Sequence, residues 1–195
     1  MRKIIVLEHI SLDGVIQAPG GRDEDTSGGF NLGGWISPYT DPQLGSEIRQ
    51  RMNSQFDLLL GRRTYEMWAK YWPQHNDIWP AANSATKFVT SNTLTAGNWQ
   101  PATILSGDVA SQIEALKQQD GPDLHVWGSS ILVQFLMNND LVDGFWFAIY
   151  PAILGKGKRL FGDGSIPASF CLTQCLACVS GAIVANYQRT NTPNQ

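Results

Sequence analysis

Asp57-Leu58-Leu59-Leu60-Gly61-Arg62-Arg63-Thr64-Tyr65-Glu66 is the stretch whose reading decides the fold. Its first four residues read as a short buried strand, Gly61 as a turn, and Tyr65 to Tyr71 as a helix. The first turn of a helix has unpaired N–H groups and the positive end of the helix dipole, so it attracts anions. Arg62, Arg63 and Thr64 add charge and a hydroxyl at that point, and guanidinium presents a planar fork that suits phosphate oxygens. The stretch therefore reads as a site for a nucleotide phosphate. A plain strand-to-helix turn with two solvated arginines is the competing reading, because short motifs recur by chance.

Working outward, the pattern repeats at Leu124-His125-Val126-Trp127-Gly128-Ser129-Ser130-Ile131-Leu132. Here Ser129 or Ser130 can cap the helix, and the same N–H groups can face a pyrophosphate. Two such junctions in one small α/β chain carry more weight than either alone. Residues 3–10 are nearly continuous in apolar residues and read as a central strand covered on both faces. The polar turn Ser11-Leu12-Asp13-Gly14 follows, where α/β folds place ligands, which makes Asp13 a candidate site residue. Residues 17–40 are rich in glycine and carry Phe30 and Trp35. They suit a lid over a ligand, or a loop that the two aromatics simply anchor. Asp41-Pro42 opens a first helix, with Leu44, Ile48 and Met52 on its buried face. Lys87 to Ser91 and Thr103 to Leu105 read as strands, and Ser91-Asn92-Thr93 either touch a ligand or close a turn. A helix spans about residues 108–117. Residues 141–150 form a long β run, and two last strands around Ser180-Gly181 pair as a hairpin.

The chain has 195 residues, which suits one domain, and 43% apolar residues, which suits a packed core. A formal charge of −3 without a block of like charges argues against nucleic-acid and anionic-membrane partners. No apolar run is long enough to span a membrane. Glu8, His9 and Asp13 interrupt the apolar start too early for a signal peptide, so it reads as the first strand of a cytoplasmic protein. Cys171, Cys175 and Cys178 are odd in number and lack a fourth nearby ligand for a metal. In a regular strand Cys171 and Cys175 share one face and Cys178 takes the other, so they read as packing residues and no metal is expected. Neither a Walker loop nor a G-x-G-x-x-G fingerprint is present.

The ordered set Ser11-Leu12-Asp13-Gly14, Leu58 to Glu66, Trp127-Gly128-Ser129, Leu141-Val142-Asp143 and Pro151 to Phe161 resembles the dihydrofolate-reductase-like superfamily. Within it, the chain is most similar to stand-alone bacterial relatives of the reductase domain of the riboflavin-biosynthesis deaminase–reductase, the RibD C-terminal family. The resemblance reaches to about Arg189. It implies an α/β three-layer fold, with a mixed, mostly parallel sheet, helices on both faces and an antiparallel C-terminal hairpin. It implies one domain over residues 1–190 with a polar tail at 191–195, and a homodimer. It also implies NADPH as hydride donor to a small heterocyclic or carbonyl substrate, as in 5-amino-6-(5-phosphoribosylamino)uracil reductase. By matching position, Gly61, Arg62 and Thr64 would hold the adenine-side phosphates, including the 2′-phosphate, with Ser91 nearby. Gly128, Ser129, Ser130 and Ile131 would take the pyrophosphate. Ser11, Leu12, Asp13, Gly14 and Val15 would face nicotinamide and substrate, with Trp35 and Trp127 as further substrate contacts.

The chain also departs from its relatives. Riboflavin-pathway reductases carry glutamate where this chain has Trp127, and many relatives carry glutamate at Gly144. No acid matches the helix carboxylate of dihydrofolate reductases; Glu47 is only nearby. Asp13 is thus the one acid expected near the substrate, and Trp127 either stacks on a flat ring or fills space. A non-catalytic NADP(H)-binding sensor or partner protein of the same fold is the alternative.

Overall fold

A computed structural model describes residues 1–162 and 166–190; the tail at 191–195 lies outside the described residues. Eight strands form one sheet: β1 Ile4–Ser11, β2 Phe56–Gly61, β3 Lys87–Thr90, β4 Ala102–Leu105, β5 Asp123–Trp127, β6 Gly144–Tyr150, β7 Phe170–Ala177 and β8 Ile183–Arg189. Their order is β4-β3-β2-β5-β1-β6-β8-β7. Neighbours from β4 to β6 pair in parallel, while β8 runs antiparallel to β6 and to β7. Helices α1 Pro42–Met52, α2 Arg62–Tyr71, α3 Pro80–Ser84, α4 Val109–Gln118 and α5 Ser130–Asn138 connect them. One core cluster joins Leu7, Leu58 and Leu60 to Leu44, Tyr65 and Trp79 on one face. The other joins Ile4, Val6 and Leu59 to Ile113, Leu132 and Leu136 on the opposite face. The result is the expected three-layer α/β fold. No helix among the described residues is long and apolar enough to cross a membrane.

Local chemistry explains the element ends. Asp41 Oδ1 accepts from the N–H groups of Gln43 (2.7 Å) and Leu44 (3.2 Å), and Pro42 opens α1. Pro80 likewise stands at the first position of α3, without a side-chain cap, where the sequence suggested no element. The β run from 141 enters the sheet only at Gly144. Asp143 is drawn aside by the Lys117 ammonium (2.6 Å) and the Ile4 amide (2.7 Å). The glycine is required, because a Cβ at 144 would lie 2.7 Å from the Tyr187 carbonyl oxygen across the β6–β8 ladder. A glutamate at this position would meet the same contact.

One expectation is corrected here. The hairpin forms, but β7 carries a bulge between Leu172 and Gln174. Cys171 therefore pairs with Gln188 and Cys175 with Ala185, residues on opposite faces of β8, so the two cysteines do not share a face. Over residues 17–40 the two aromatics anchor the loop, which is one of the two readings of this stretch. Phe30 and Trp35 are buried in the core, and Trp35 Nε1 donates to the Gln17 carbonyl (2.8 Å). Glu24 accepts from the amides of Gly20 and Gly21, and Lys158 pairs with Asp25 (2.5 Å).

His125, in the middle of β5, stacks on Phe56 with ring centroids 4.8 Å apart, and its Nδ1 has no partner. Burial lowers its pKa from 6.5 to about 4. The unfolded chain takes up this proton first as pH falls, so the contribution of His125 is complete above pH 6.5 and is lost as pH falls towards 4. The gap corresponds to about 3 kcal/mol. His125→Phe is expected to flatten the acid limb of the stability–pH profile by that order, measured by urea unfolding between pH 4 and 7. An unchanged limb would show that His125 is not the proton sink.

Candidate active site

All parallel strands end at the same edge, so Gly61, Trp127 and the end of β1 lie together beside α2 and α5. The winding reverses there: β5 inserts between β2 and β1, and β6 lies on the far side of β1. Open α/β sheets bind ligands outside the strand ends at such a reversal. The cavity at this edge has a volume of about 1220 Å³. Small-molecule pockets run from about 300 to 1,000 Å³, so there is room for a large cofactor together with a small substrate.

The two strand–glycine–helix junctions are physically joined. Ser129 Oγ accepts from the Gly61 amide (3.1 Å) and donates to Thr64 Oγ1 (2.9 Å). Ser129 stands at the N-cap position of α5 but does not cap it, and neither α5 nor α2 has a side-chain cap. The expected capping serine is instead the bridge between the junctions. Its backbone is left-handed (φ 56°), as is that of Gly128 (φ 58°). A non-glycine residue held there costs about 1–3 kcal/mol, a strain that clusters at functional sites. A Cβ at Gly128 would meet Thr64 Oγ1 at 3.4 Å, an ordinary contact, so the positive φ is what favours glycine there.

Gly61, Arg62, Thr64, Ser91, Trp127, Gly128, Ser129, Ser130 and Ile131 all line this cavity, and so does Arg63. Arg62 reaches both carboxylate oxygens of Glu66 (3.1 and 3.2 Å). Arg63 has no ion-pair partner among the described residues. Ser91 Oγ is already engaged, accepting from the amides of Thr93 (3.2 Å) and Leu94 (2.9 Å), so it closes a turn at the cavity rim.

Ser11, Leu12, Asp13, Gly14, Val15 and Trp35 are placed elsewhere. Asp13 accepts from Ser11 Oγ (2.6 Å) and from the amides of Leu154 (3.1 Å) and Gly155 (2.8 Å), and it pairs with Arg159 (3.5 Å). Burial acts to raise its pKa, but these hydrogen bonds outweigh it and hold the group at about 2. Asp13 braces the first turn against residues 154–159 and has no proton to give at neutral pH. Ser11, Leu12 and Gly14 lie instead along a separate apolar groove with Phe145, Phe147 and Phe161. Trp35 packs edge-on against Tyr150 (5.5 Å), and its neighbour Ile36 reaches the cavity.

The cavity contains residues that the sequence reading passed over. Glu8 is 3% exposed; one of its carboxylate oxygens is unpartnered, and the Gly128 amide faces the group. Burial pushes its pKa well up, the Gly128 amide offsets part of that rise, and Glu24 nearby adds to it. His9, next along β1, points to the other face among Trp127, Trp146 and Tyr150. Its Nδ1 lies 2.9 Å from the Tyr150 hydroxyl, and burial lowers its pKa to about 4. Trp68, Trp72 and Trp79 complete an aromatic end with Trp127. The available signal was two titratable residues inside an otherwise apolar strand.

A family model for the RibD C-terminal domain matches residues 2–184, and the chain belongs to that family. The uncharacterized protein YyaP of Bacillus subtilis (strain 168) is 29% identical over 168 residues, covering 83% of this chain and 81% of YyaP. A diaminohydroxyphosphoribosylaminopyrimidine deaminase/5-amino-6-(5-phosphoribosylamino)uracil reductase from Thermotoga maritima superposes with a TM-score of 0.67 at 16% identity, over 97% of this chain and 57% of that one. Dihydrofolate reductase from Enterococcus faecalis, complexed with NADP(H), superposes with a TM-score of 0.60 at 14% identity, over 97% of each chain. At these identities the two structures speak for the fold.

Proposed function

We propose that this member of the RibD C-terminal domain family is an NADPH-dependent reductase acting on a small heterocyclic or carbonyl substrate. The reading is carried by the Ser129 bridge, which holds two helix N-termini without side-chain caps over one cavity. Open N–H groups, left-handed backbone at Gly128 and Ser129, and two arginines at one rim form a donor set that suits a dinucleotide with several phosphates. Gly61, Arg62, Arg63 and Thr64 would hold the adenine-side phosphates; Gly128, Ser129, Ser130 and Ile131 would hold the pyrophosphate. When bound, the nicotinamide supplies hydride. The aromatic end excludes water and receives the acceptor. Glu8 meets Gly128 from beneath, and burial disfavours a negative charge on it there.

NADPH and NADH titrated against tryptophan fluorescence, with calorimetry, test this. Tighter binding of NADPH than of NADH is the expected result, and binding of neither nucleotide overturns the reading. A non-catalytic NADP(H) sensor is the second reading, favoured by Asp13 having no proton to give. It predicts NADPH binding without turnover across pterins, pyrimidines and quinones.

A further inference from the structure

This inference rests on the reductase reading of the same cavity and concerns what its aromatic end accepts. The side chains there are His9, Ile36, Ile48, Met52, Trp68, Trp72, Trp79 and Trp127. None of them carries a charge at neutral pH, since His9 is kept neutral by burial. Lys70 is also on the cavity wall, but it follows Trp68 by two residues and so faces away from it on α2. Among the described residues, two neutral nitrogens at this end have no hydrogen-bond partner and are not among the buried unpaired atoms: Trp68 Nε1 on α2 and His9 Nε2 on β1. His9 is half-buried, and Nε2 neither has a hydrogen-bond partner nor is among the buried unpaired atoms, so it is open to the cavity.

Tyr150 decides what Nε2 does. Its hydroxyl is buried, and among the described residues His9 Nδ1 is its one hydrogen-bond partner. If Nδ1 carried the hydrogen, the phenolic proton would be buried without an acceptor, at a cost of about 1–3 kcal/mol. The phenol therefore donates to Nδ1, which puts the imidazole hydrogen on Nε2, pointing into the cavity as a donor. A neutral donor between apolar and indole walls selects an acceptor on a flat ring. It offers nothing to neutralise a phosphate or carboxylate, whose burial beside apolar walls is costly.

We infer that the aromatic end of the cavity takes a flat, uncharged ring with a carbonyl oxygen that accepts a hydrogen bond from His9 Nε2, and that it rejects phosphorylated or carboxylated substrates. Tyr150 is the positioning residue that sets the His9 tautomer.

The test uses chromone as the flat carbonyl ring, chromone-2-carboxylate as the same ring with a charge, and uridine 5′-monophosphate as a phosphorylated pyrimidine. Each is titrated by calorimetry into the full chain saturated with NADP⁺. Chromone is expected to bind, and the two anions at least about tenfold more weakly. His9→Phe should weaken chromone by about tenfold, the worth of one hydrogen bond, while His9→Gln, which keeps a donor, should retain most of the affinity. Imidazole ¹⁵N spectra should show His9 protonated on Nε2, and Tyr150→Phe should mix the tautomers. Anions binding as tightly as chromone, an affinity indifferent to His9→Phe, or a protein that binds NADPH but not chromone would each overturn the inference and leave the reductase reading standing. His9-dependent chromone binding, also measured without nucleotide, in a protein that fails to bind NADPH would remove the reductase reading and keep the ring site.

Discussion

Replacing both Arg62 and Arg63 by alanine is expected to weaken NADPH binding about a hundredfold while changing NADH binding less than about threefold. The two nucleotides differ only by the 2′-phosphate, so the ratio isolates contacts to that group. Both arginines line the cavity at the open N-terminus of α2. Arg62 is engaged with Glu66, but each partner is 41% exposed, and such a surface pair is worth at most about 1 kcal/mol. Turning Arg62 towards a phosphate therefore costs little and gains a charge-assisted contact worth about 1.5–3 kcal/mol. Lysine at both positions should restore only part of the preference, because a point charge lacks the planar fork. The substitutions are at the surface, so unfolding should shift by no more than about 0.5 kcal/mol. Equal losses for both nucleotides would place the arginines away from the 2′-phosphate, and unchanged affinities would leave them as solvated residues.

Arg2→Leu is expected to destabilise the fold by about 3–5 kcal/mol without altering the cavity. Arg2 is 4% exposed, and its guanidinium lies 2.5 Å from Asp57, which is 15% exposed. Its Nε donates to the Pro122 carbonyl (2.6 Å), and the group sits over the Phe88 ring at 5.4 Å. The other oxygen of Asp57 accepts from the Thr86 amide (2.9 Å). One ion pair thus ties together the chain ahead of β1, β3 and β5 and the start of β2, at the sheet edge away from the site. Removing the cation leaves a buried carboxylate with too few partners, which is more costly than losing the whole pair. Arg2→Leu/Asp57→Asn should therefore recover part of the loss. Urea unfolding at pH 7 measures this; a loss below about 1 kcal/mol for Arg2→Leu would mean that the pair is effectively solvated.

Much of the fold was readable in order along the chain. The apolar run at residues 3–10, the Asp41-Pro42 helix start and the two strand–glycine–helix junctions all depend on neighbours within a turn or a strand. Of the cavity lining, the two strand–glycine–helix junctions were readable. Gly61, Arg62, Gly128 and Ser129 signal themselves through local spacing. Asp13 signalled too, as an acid in a turn, yet its bonds go to Leu154 and Gly155, some 140 positions later, and these make it a brace. Glu8 and His9 looked like interruptions of a strand. Their roles depend on Gly128, Trp127 and Tyr150, which only the folded sheet brings to them.

The sequence by itself determined the elements, the α/β class and the two strand–glycine–helix junctions, because backbone geometry and turn chemistry are local properties. The tertiary structure alone decided that Ser129 joins the two junctions, that Asp13 is spent on bracing, and that a buried acid and a histidine share the cavity. Burial and partner identity are set by strand order, and strand order joins residues that no local pattern relates.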